Sequence, residues 1–515
     1  MNKEQILWAD DEIDLLKPHI LFLQNKGYEV TTVTNGRDAL DAISQQNFHL
    51  IILDENMPGI SGLEALQQIK IAQPNVPVIM ITKSEEENIM NQAIGSEIAD
   101  YLIKPVNPMQ ILLSIKKNLH SEALVAQKAT SDYQQEFMSI SQQIAMARTI
   151  DDWYQLYNTL VRWELTLSNA ETSMADMLRM QKQEANSAFA KMVKRNYEKW
   201  VTTDDHPLMS NEIFKTQIFP HIDAGEKVCF IVIDNFRLDQ WRTISPLLND
   251  YFNIEKEELY TTILPTATQY ARNAIFSGLM PIDIERMFPE LWVDEDEDEG
   301  KNLNEAPLIQ TILDRYRRKC KFSYNKLNDS AAGERLVQHF AQLKNFDLNV
   351  IVFNFVDILS HARTESKMIR ELAYTDEAYR SITVTWFKNS YVLEIFKRIA
   401  EQGWKIVLTT DHGTTRVDNA IKVIGDKNTN TNLRYKVGKN LSYNPRQVYE
   451  IKQPKRFGLP LLNVSSTYIF ASGRDFFAYP NNYNHYVQYY NDTFQHGGIS
   501  MEEMLVPLIT LTPKK

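Results

Sequence analysis

Apolar residues in this chain gather in short runs that end on polar ones, and the spacing between runs changes twice. In residues 1–120 the runs QILWA, HLIIL, VPVIMIT and DYLI finish at carboxylates, a threonine and a lysine. Stretches with helical periodicity, GRDALDAISQQ and GLEALQQIKIAQ, lie between them. Apolar runs alternating with amphipathic helices predict a parallel sheet covered on both faces, a doubly wound five-stranded α/β domain. Chemistry in such sheets collects at the carboxyl ends of the strands.

From 121 to 205 the texture becomes polar and helical, with no glycine between Ser96 and Gly225. Trp153, Leu156, Tyr157, Leu160 and Val161 recur at spacings of three and four and share one face, with Glu164 as the polar exception. This predicts a helical bundle or a pair of long helices acting as a spacer or dimerisation element. Residues 206–515 return to strand–helix alternation at KVCFIVIDNF, NVIVFNFVD and WKIVLTTDHG, which predicts a second, larger α/β domain. Residues 290–300 form an acidic run expected to be a solvated loop. Residues 415–460, rich in Asn, Lys and Arg, are expected to form an insertion near the chemistry, acting as a lid.

Composition narrows the reading. A chain of 515 residues exceeds the roughly 250–300 residues at which single cores stop growing, so several domains are expected. A formal net charge of −11 argues against coating nucleic acid by bulk electrostatics. The two cysteines, Cys229 and Cys320, form no paired metal spacing and no disulfide framework. The first residues show no basic segment followed by a long apolar run, so no signal peptide is expected, and LIIL, VCFIVI and NVIVFNF are too short to cross a bilayer as helices. A cytoplasmic protein without membrane insertion is the expectation.

Four strand ends of the first domain carry reactive groups. Asp10 and Asp11 end the first strand, Asp54 ends the third, Thr82 follows the next, and Lys104-Pro105 follows the last. Three carboxylates that close are costly without a cation, and oxygen ligands suit Mg²⁺. Lys104 and Mg²⁺ would neutralise a phosphoryl group on Asp54, which Thr82 could hydrogen-bond, while Tyr101 is placed to turn inward. These positions, with the D-x-x-M-P-x-x-x-G turn from Asp54 to Gly62, resemble the receiver domain of two-component response regulators over residues 1–120. The resemblance implies that a sensor histidine kinase phosphorylates Asp54. It also implies a Mg²⁺ site from Asp10, Asp11, Asp54 and the carbonyl of Asn56, with Thr82, Tyr101 and Lys104 as switch residues.

The larger domain carries a second constellation. Asp234 ends a strand, Asp357 and His361 lie four apart, Asp411-His412 end another strand, and His496 begins HGGIS. Asp with His suits Zn²⁺. Thr266 and Thr268 lie just before an expected helix whose N-terminus favours an anion, where a metal-bound threonine can ionise as a nucleophile. Two divalent ions would balance Asp234, Asp357, Asp411 and one threonine alkoxide. Arg237, Arg272 and Arg416 are candidates for phosphate binding or for ordinary ion pairs. Arg272 comes first because it lies one helical turn from Thr268.

These motifs, in order over about 300 residues, resemble the PglZ-type domain of the alkaline phosphatase superfamily. The resemblance implies one zinc on Asp357, His361 and His496. It implies a second on Asp234, Thr268, Asp411 and His412, with Thr268 as nucleophile.

The full domain order resembles regulators of type IX secretion in Bacteroidetes. That implies dimerisation on phosphorylation, cleavage of linear or cyclic nucleotide phosphodiesters, and a secretion-system or sigma-factor partner. The competing reading is a metal domain that binds a partner or nucleotide without turnover. A DNA-binding factor is disfavoured, because no basic helix-turn-helix is visible.

Overall fold

The computed structural model describes residues 3–83, 87–168, 172–293, 302–426, 429–463 and 465–514. The acid-rich part of the 290–300 run lies outside the described residues. The chain divides into two compact units, Met1–Ser131 and Asp132–Lys515.

The first unit contains strands β1 (Gln5–Ala9), β2 (Glu29–Val33), β3 (Leu50–Leu53), β4 (Val78–Thr82) and β5 (Asp100–Ile103). They pair in parallel in the order β2-β1-β3-β4-β5. Helices α1 (Lys17–Asn25), α2 (Gly36–Gln45), α3 (Gly62–Ala72), α4 (Glu87–Gly95) and α5 (Pro108–Leu119) connect them. Alternate strand residues point to opposite faces, so a two-sided core needs strands that are apolar throughout. Leu7, Ile51, Leu53 and Met80 pack with Ala39, Leu66 and Ile69 on one side. Trp8, Leu50, Ile52 and Ile81 pack with Leu23, Ile111 and Ile115 on the other. Ser61 caps α3 in a reciprocal capping box with Glu64, fixing where the turn after β3 ends.

Three long helices follow: α6 (Ser121–Met146), α7 (Ile150–Thr166) and α8 (Thr172–Thr202). The α7 face read from the sequence is the buried one: Trp153, Leu156, Tyr157, Leu160 and Val161 are each about 1% exposed or less. In the second unit α7 and α8 pack directly on the larger sheet domain. Tyr154 Oη lies 2.8 Å from Thr261 Oγ1. The Tyr197 hydroxyl accepts the Leu264 backbone N–H at 2.7 Å.

The larger domain is built on a six-stranded sheet. Strands β6 (Val228–Ile233), β7 (Phe252–Thr261), β8 (Phe322–Leu327), β9 (Leu348–Phe353) and β10 (Lys405–Thr409) join the C-terminal strand Leu505–Pro513. The run β10-β6-β9-β8 is parallel, as the apolar strand pattern predicts. Strand Leu505–Pro513 inserts antiparallel between β10 and β7, so the sheet is mixed. The 415–460 segment, expected as a lid, contributes short strands to small sheets, including the three-stranded sheet of Tyr435–Gly438, Thr467–Phe470 and Tyr449–Ile451. It is anchored by Arg434, fully buried and ion-paired to Glu503.

Candidate functional site

In the first unit the strand ends bring Asp10, Asp11 and Asp54 together, with carboxylate oxygens within 4.8 Å of one another. Asp10 and Asp54 are buried, whereas Asp11 faces solvent. Lys104 Nζ lies 2.7 Å from Asp10 and 3.2 Å from Asp54. Burial pushes the Asp54 carboxyl upward, and Lys104 only partly offsets this. A divalent cation would relieve that cost, and the oxygen donor set fits Mg²⁺. Thr82 is fully buried at the end of β4, and Tyr101 on β5 is half-buried against the core of one face. Asn56 is in the exposed turn after β3. Gly62 is required sterically, since a β-carbon there would collide with the Asp54 carbonyl and the Glu55 backbone.

In the larger domain the sequence-predicted ligands arrive from strand ends, from loops and from the first turns of helices. Asp357 and His361 sit one turn apart on helix Phe355–Glu365, which starts directly after β9, and their side chains are 3.5 Å apart. His496 Nε2 is 3.6 Å from Asp357 Oδ1. Asp357, His361 and His496 form one cluster, and Asp234, Asp411 and His412 form a second. The His412 and His496 rings stack with centroids 4.2 Å apart, so the two clusters are neighbours. Burial, reinforced by His412, pushes the His496 imidazole down to about 3. It is held neutral, the form that ligates metals. The His361 side chain is 59% exposed, so the first cluster opens to solvent while the second is buried. Both donor sets fit Zn²⁺.

Thr268 is the first residue of helix Thr268–Ser277, whose cap, Ala267, offers no side-chain acceptor to the leading N–H groups. Thr268 Oγ1 lies 3.1 Å from His412 Nε2 and 3.4 Å from Asp234 Oδ1. Thr266 is used differently. Its Oγ1 accepts the Gly497 N–H and donates to the Gly498 carbonyl, each at 2.9 Å, and its own carbonyl lies 3.2 Å from His496 Nδ1. Thr266 therefore orients the His496 loop, while Thr268 faces the candidate ligands His412 and Asp234.

The three arginines are all committed. Arg272, 1% exposed, contacts Asp234 through Nη2, Asp411 through Nε at 3.0 Å and Glu305 at 3.2 Å. Arg237 pairs with Asp239 at 2.7 Å and with Asp376 at 3.2 Å. Arg416 contacts Asp492 and lies 3.7 Å from Asp376. The ion-pair role holds for each in this structure.

Sequence reasoning missed Asn235 and Glu305. Asn235, at φ 61°, donates to Asp357 Oδ1 at 3.1 Å and Ser360 Oγ at 3.0 Å. Its place directly after a strand-end Asp was the available signal, because Asn tolerates the left-handed conformation. Glu305 also accepts from Tyr324 and Lys326, and no local motif announces it.

Three family models match in series. The receiver domain of response regulators covers residues 6–116, and the PorX response regulator linker domain covers 123–201. The BREX system PglZ alkaline phosphatase-like domain covers 213–511. Curated relatives include ResD, a transcriptional regulatory protein of Bacillus subtilis, 32% identical over 22% of this chain and 48% of its own length. PhoP of the same organism, the alkaline phosphatase synthesis transcriptional regulatory protein, is 29% identical over 32% of this chain and 68% of its own length. This chain thus spans about half of ResD. Among solved structures, a CheY-like receiver from Methanospirillum hungatei is 28% identical, covers 23% of this chain and 96% of its own, and has a TM-score of 0.23. The PglZ match alone spans more than half of the 515 residues. The chain belongs to the PglZ alkaline phosphatase-like family, joined here to a response-regulator receiver domain and a PorX-type linker.

Proposed function

We propose that this chain is a phosphorylation-controlled response regulator whose effector is a two-zinc phosphodiesterase. The observation that carries this is the position of Thr268 Oγ1, at an uncapped helix N-terminus and 3.1 Å from His412. Asp357, His361 and His496 would hold one ion, and Asp234, Asp411 and His412, with Thr268, the other. Bound divalent ions supply the charge that lets a hydroxyl ionise near neutral pH and that offsets charge on the transferring group. The chain supplies the rest. Thr268 loses its proton as Oγ bonds to phosphorus, the bond to the departing alcohol breaks, and that alcohol gains a proton. Water then releases the phosphoryl group and restores the Thr268 hydroxyl. The leading N–H groups of the helix face the anionic oxygens.

Nucleotide diesters, linear or cyclic, are the proposed substrates. Support comes from an aromatic surface continuous with the His361 helix. Arg363 on that helix donates to the carbonyls of Ala373, Tyr374 and Asp492. Tyr374 is 63% exposed, and Arg370 sits 5.5 Å from the Tyr489 ring, which stacks with His485. The exposed Tyr374 and the half-buried Tyr489 beside a guanidinium suit base stacking.

The receiver would hold Mg²⁺ through Asp10, Asp11, Asp54 and the Asn56 carbonyl and accept phosphate from a sensor histidine kinase on Asp54. Phosphorylation would produce a homodimer, and a role in type IX secretion, through a secretion-system or sigma-factor partner, completes the reading. Among the described residues no helix is long and apolar enough to cross a membrane.

Hydrolysis of bis-p-nitrophenyl phosphate with zinc tests the chemistry. Turnover by the wild type, absent in Thr268→Ala that still binds zinc, supports it. Zinc-loaded wild type that is inert with and without BeF₃⁻ overturns it in favour of a non-catalytic binding module. That second reading is favoured by one observation: Arg272 already neutralises much of the charge on Asp234 and Asp411.

A further inference from the structure

Two loops carry the histidines that stack between the metal clusters, and one short turn, Met501–Met504, supports both. Gly413, next to His412, donates its N–H to the Glu503 carbonyl at 3.1 Å. A β-carbon at Gly413 would collide with the Glu502 carbonyl oxygen, so no larger residue fits against the turn there. On the other side, the Glu503 carboxylate accepts the Gly498 N–H at 2.9 Å and is fixed by Arg434 and by Ser500 at 2.7 Å. Gly498 lies two residues past His496.

The turn is in turn held by linker helix α8. Asn186, 4% exposed, donates to Glu502 Oε2 at 2.9 Å and accepts the Met501 N–H at 2.8 Å. Lys182 Nζ contacts Glu502 Oε1 at 3.1 Å and Glu164 of α7 at 2.7 Å. One helix face of the linker thus ends on the support of both histidine loops.

The geometry points to Asn186 and Lys182 as positioning residues for the metal centre, acting through Glu502 from outside the PglZ-type fold. The inference rests on the proposed metal reading for its consequence, but the brace itself is a property of the polypeptide. A shift of α8 by a fraction of a helical turn moves Glu502 and loosens the His412 and His496 loops together. Groups that orient metal ligands typically change metal affinity about 10–100-fold when removed.

Two measurements on the full chain test this. One is zinc affinity by competition with a metal-binding dye. The other is backbone hydrogen exchange across residues 410–414 and 496–499 in metal-free protein. Asn186→Ala and Lys182→Met should each weaken zinc binding about tenfold and speed exchange in both segments. Lys182→Arg should keep wild-type values. Gln181→Leu is the control for general loosening of the linker. Among the described residues Gln181 bonds within the linker, to Phe137, Ser141 and Tyr133, so Gln181→Leu should leave both readouts unchanged. Wild-type affinity and exchange in Asn186→Ala and Lys182→Met would overturn the proposal, as would an equal loss in Gln181→Leu. If the wild type takes up no zinc while Asn186→Ala still speeds exchange at both loops, the metal reading falls and the brace stands.

Discussion

Arg272 Nε donates to Asp411 Oδ2 at 3.0 Å, and the same guanidinium also contacts Asp234. Asp234 spends Oδ2 on this fixed internal cation and keeps Oδ1 beside Thr268 and His412, whereas the other oxygen of Asp411 accepts the His412 backbone N–H at 3.2 Å. Removing one partner of a buried ion pair typically costs about 3–5 kcal/mol, because the other charge stays buried. Arg272→Met should lower the stability of metal-free protein by about that amount. Zinc should restore part of the loss, since a divalent ion replaces the missing charge. Denaturant unfolding with chelator and with zinc measures both.

Thr268→Ala removes the proposed nucleophile but none of the carboxylate or imidazole donors. Turnover of a phosphodiester should fall by about 10³-fold or more, while zinc content stays near that of the wild type. Thr268→Ser, which keeps the hydroxyl, should retain measurable activity. Parallel elemental analysis and rate measurements separate loss of chemistry from loss of metal.

Asp54→Ala should abolish the response of the receiver to BeF₃⁻ and leave the metal content of the larger domain unchanged. In the wild type the expected response is a change in mass from monomer to dimer, read by light scattering. Gly62→Ala should destabilise the receiver by about 1–3 kcal/mol through its collision with the Asp54 carbonyl.

Acid should weaken the second unit through Asp239. Burial alone would raise this carboxyl, but Arg237 and Arg380 outweigh burial and hold it below its usual range. A group depressed in the folded state stabilises above its unfolded value, near 3.9 for Asp, and that stabilisation is lost as pH falls through the folded value. Stability from this group should therefore be fully present at neutral pH and decline below about pH 4. Urea unfolding at a series of pH values should show a shallower acid decline in Asp239→Asn than in the wild type.

Much of the site was legible in the sequence because strand-end ligands follow recognisable apolar runs. VCFIVI leads to Asp234, NVIVF to the helix of Asp357 and His361, and KIVLT to Asp411 and His412. The four-residue spacing of Asp357 and His361 predicts that they share one helical face, and both lie on helix Phe355–Glu365. The resemblance already singled out Thr268 over Thr266, and the structure adds what Thr266 does instead, bonding to Gly497 and Gly498 while helix Thr268–Ser277 begins at Thr268. The commitments of Arg237, Arg272 and Arg416 were not legible, since their partners lie as far away as Asp376, Glu305 and Asp492. Likewise Asn186 and Glu502 are separated by 316 positions, and no local pattern joins them.

The strand Leu505–Pro513 lies inside the larger sheet, flanked by strands from the 250s and the 400s. Its pairing with Phe252–Thr261 closes a loop of more than two hundred residues, the kind of distant pairing that forms slowly. Translation must therefore run past residue 500 before the interior of that sheet can be completed. A ribosome that stops short should release a polypeptide with every aspartate of the candidate metal centre but without the strand that joins β10 to β7, so even a late nonsense mutation leaves the sheet in two parts.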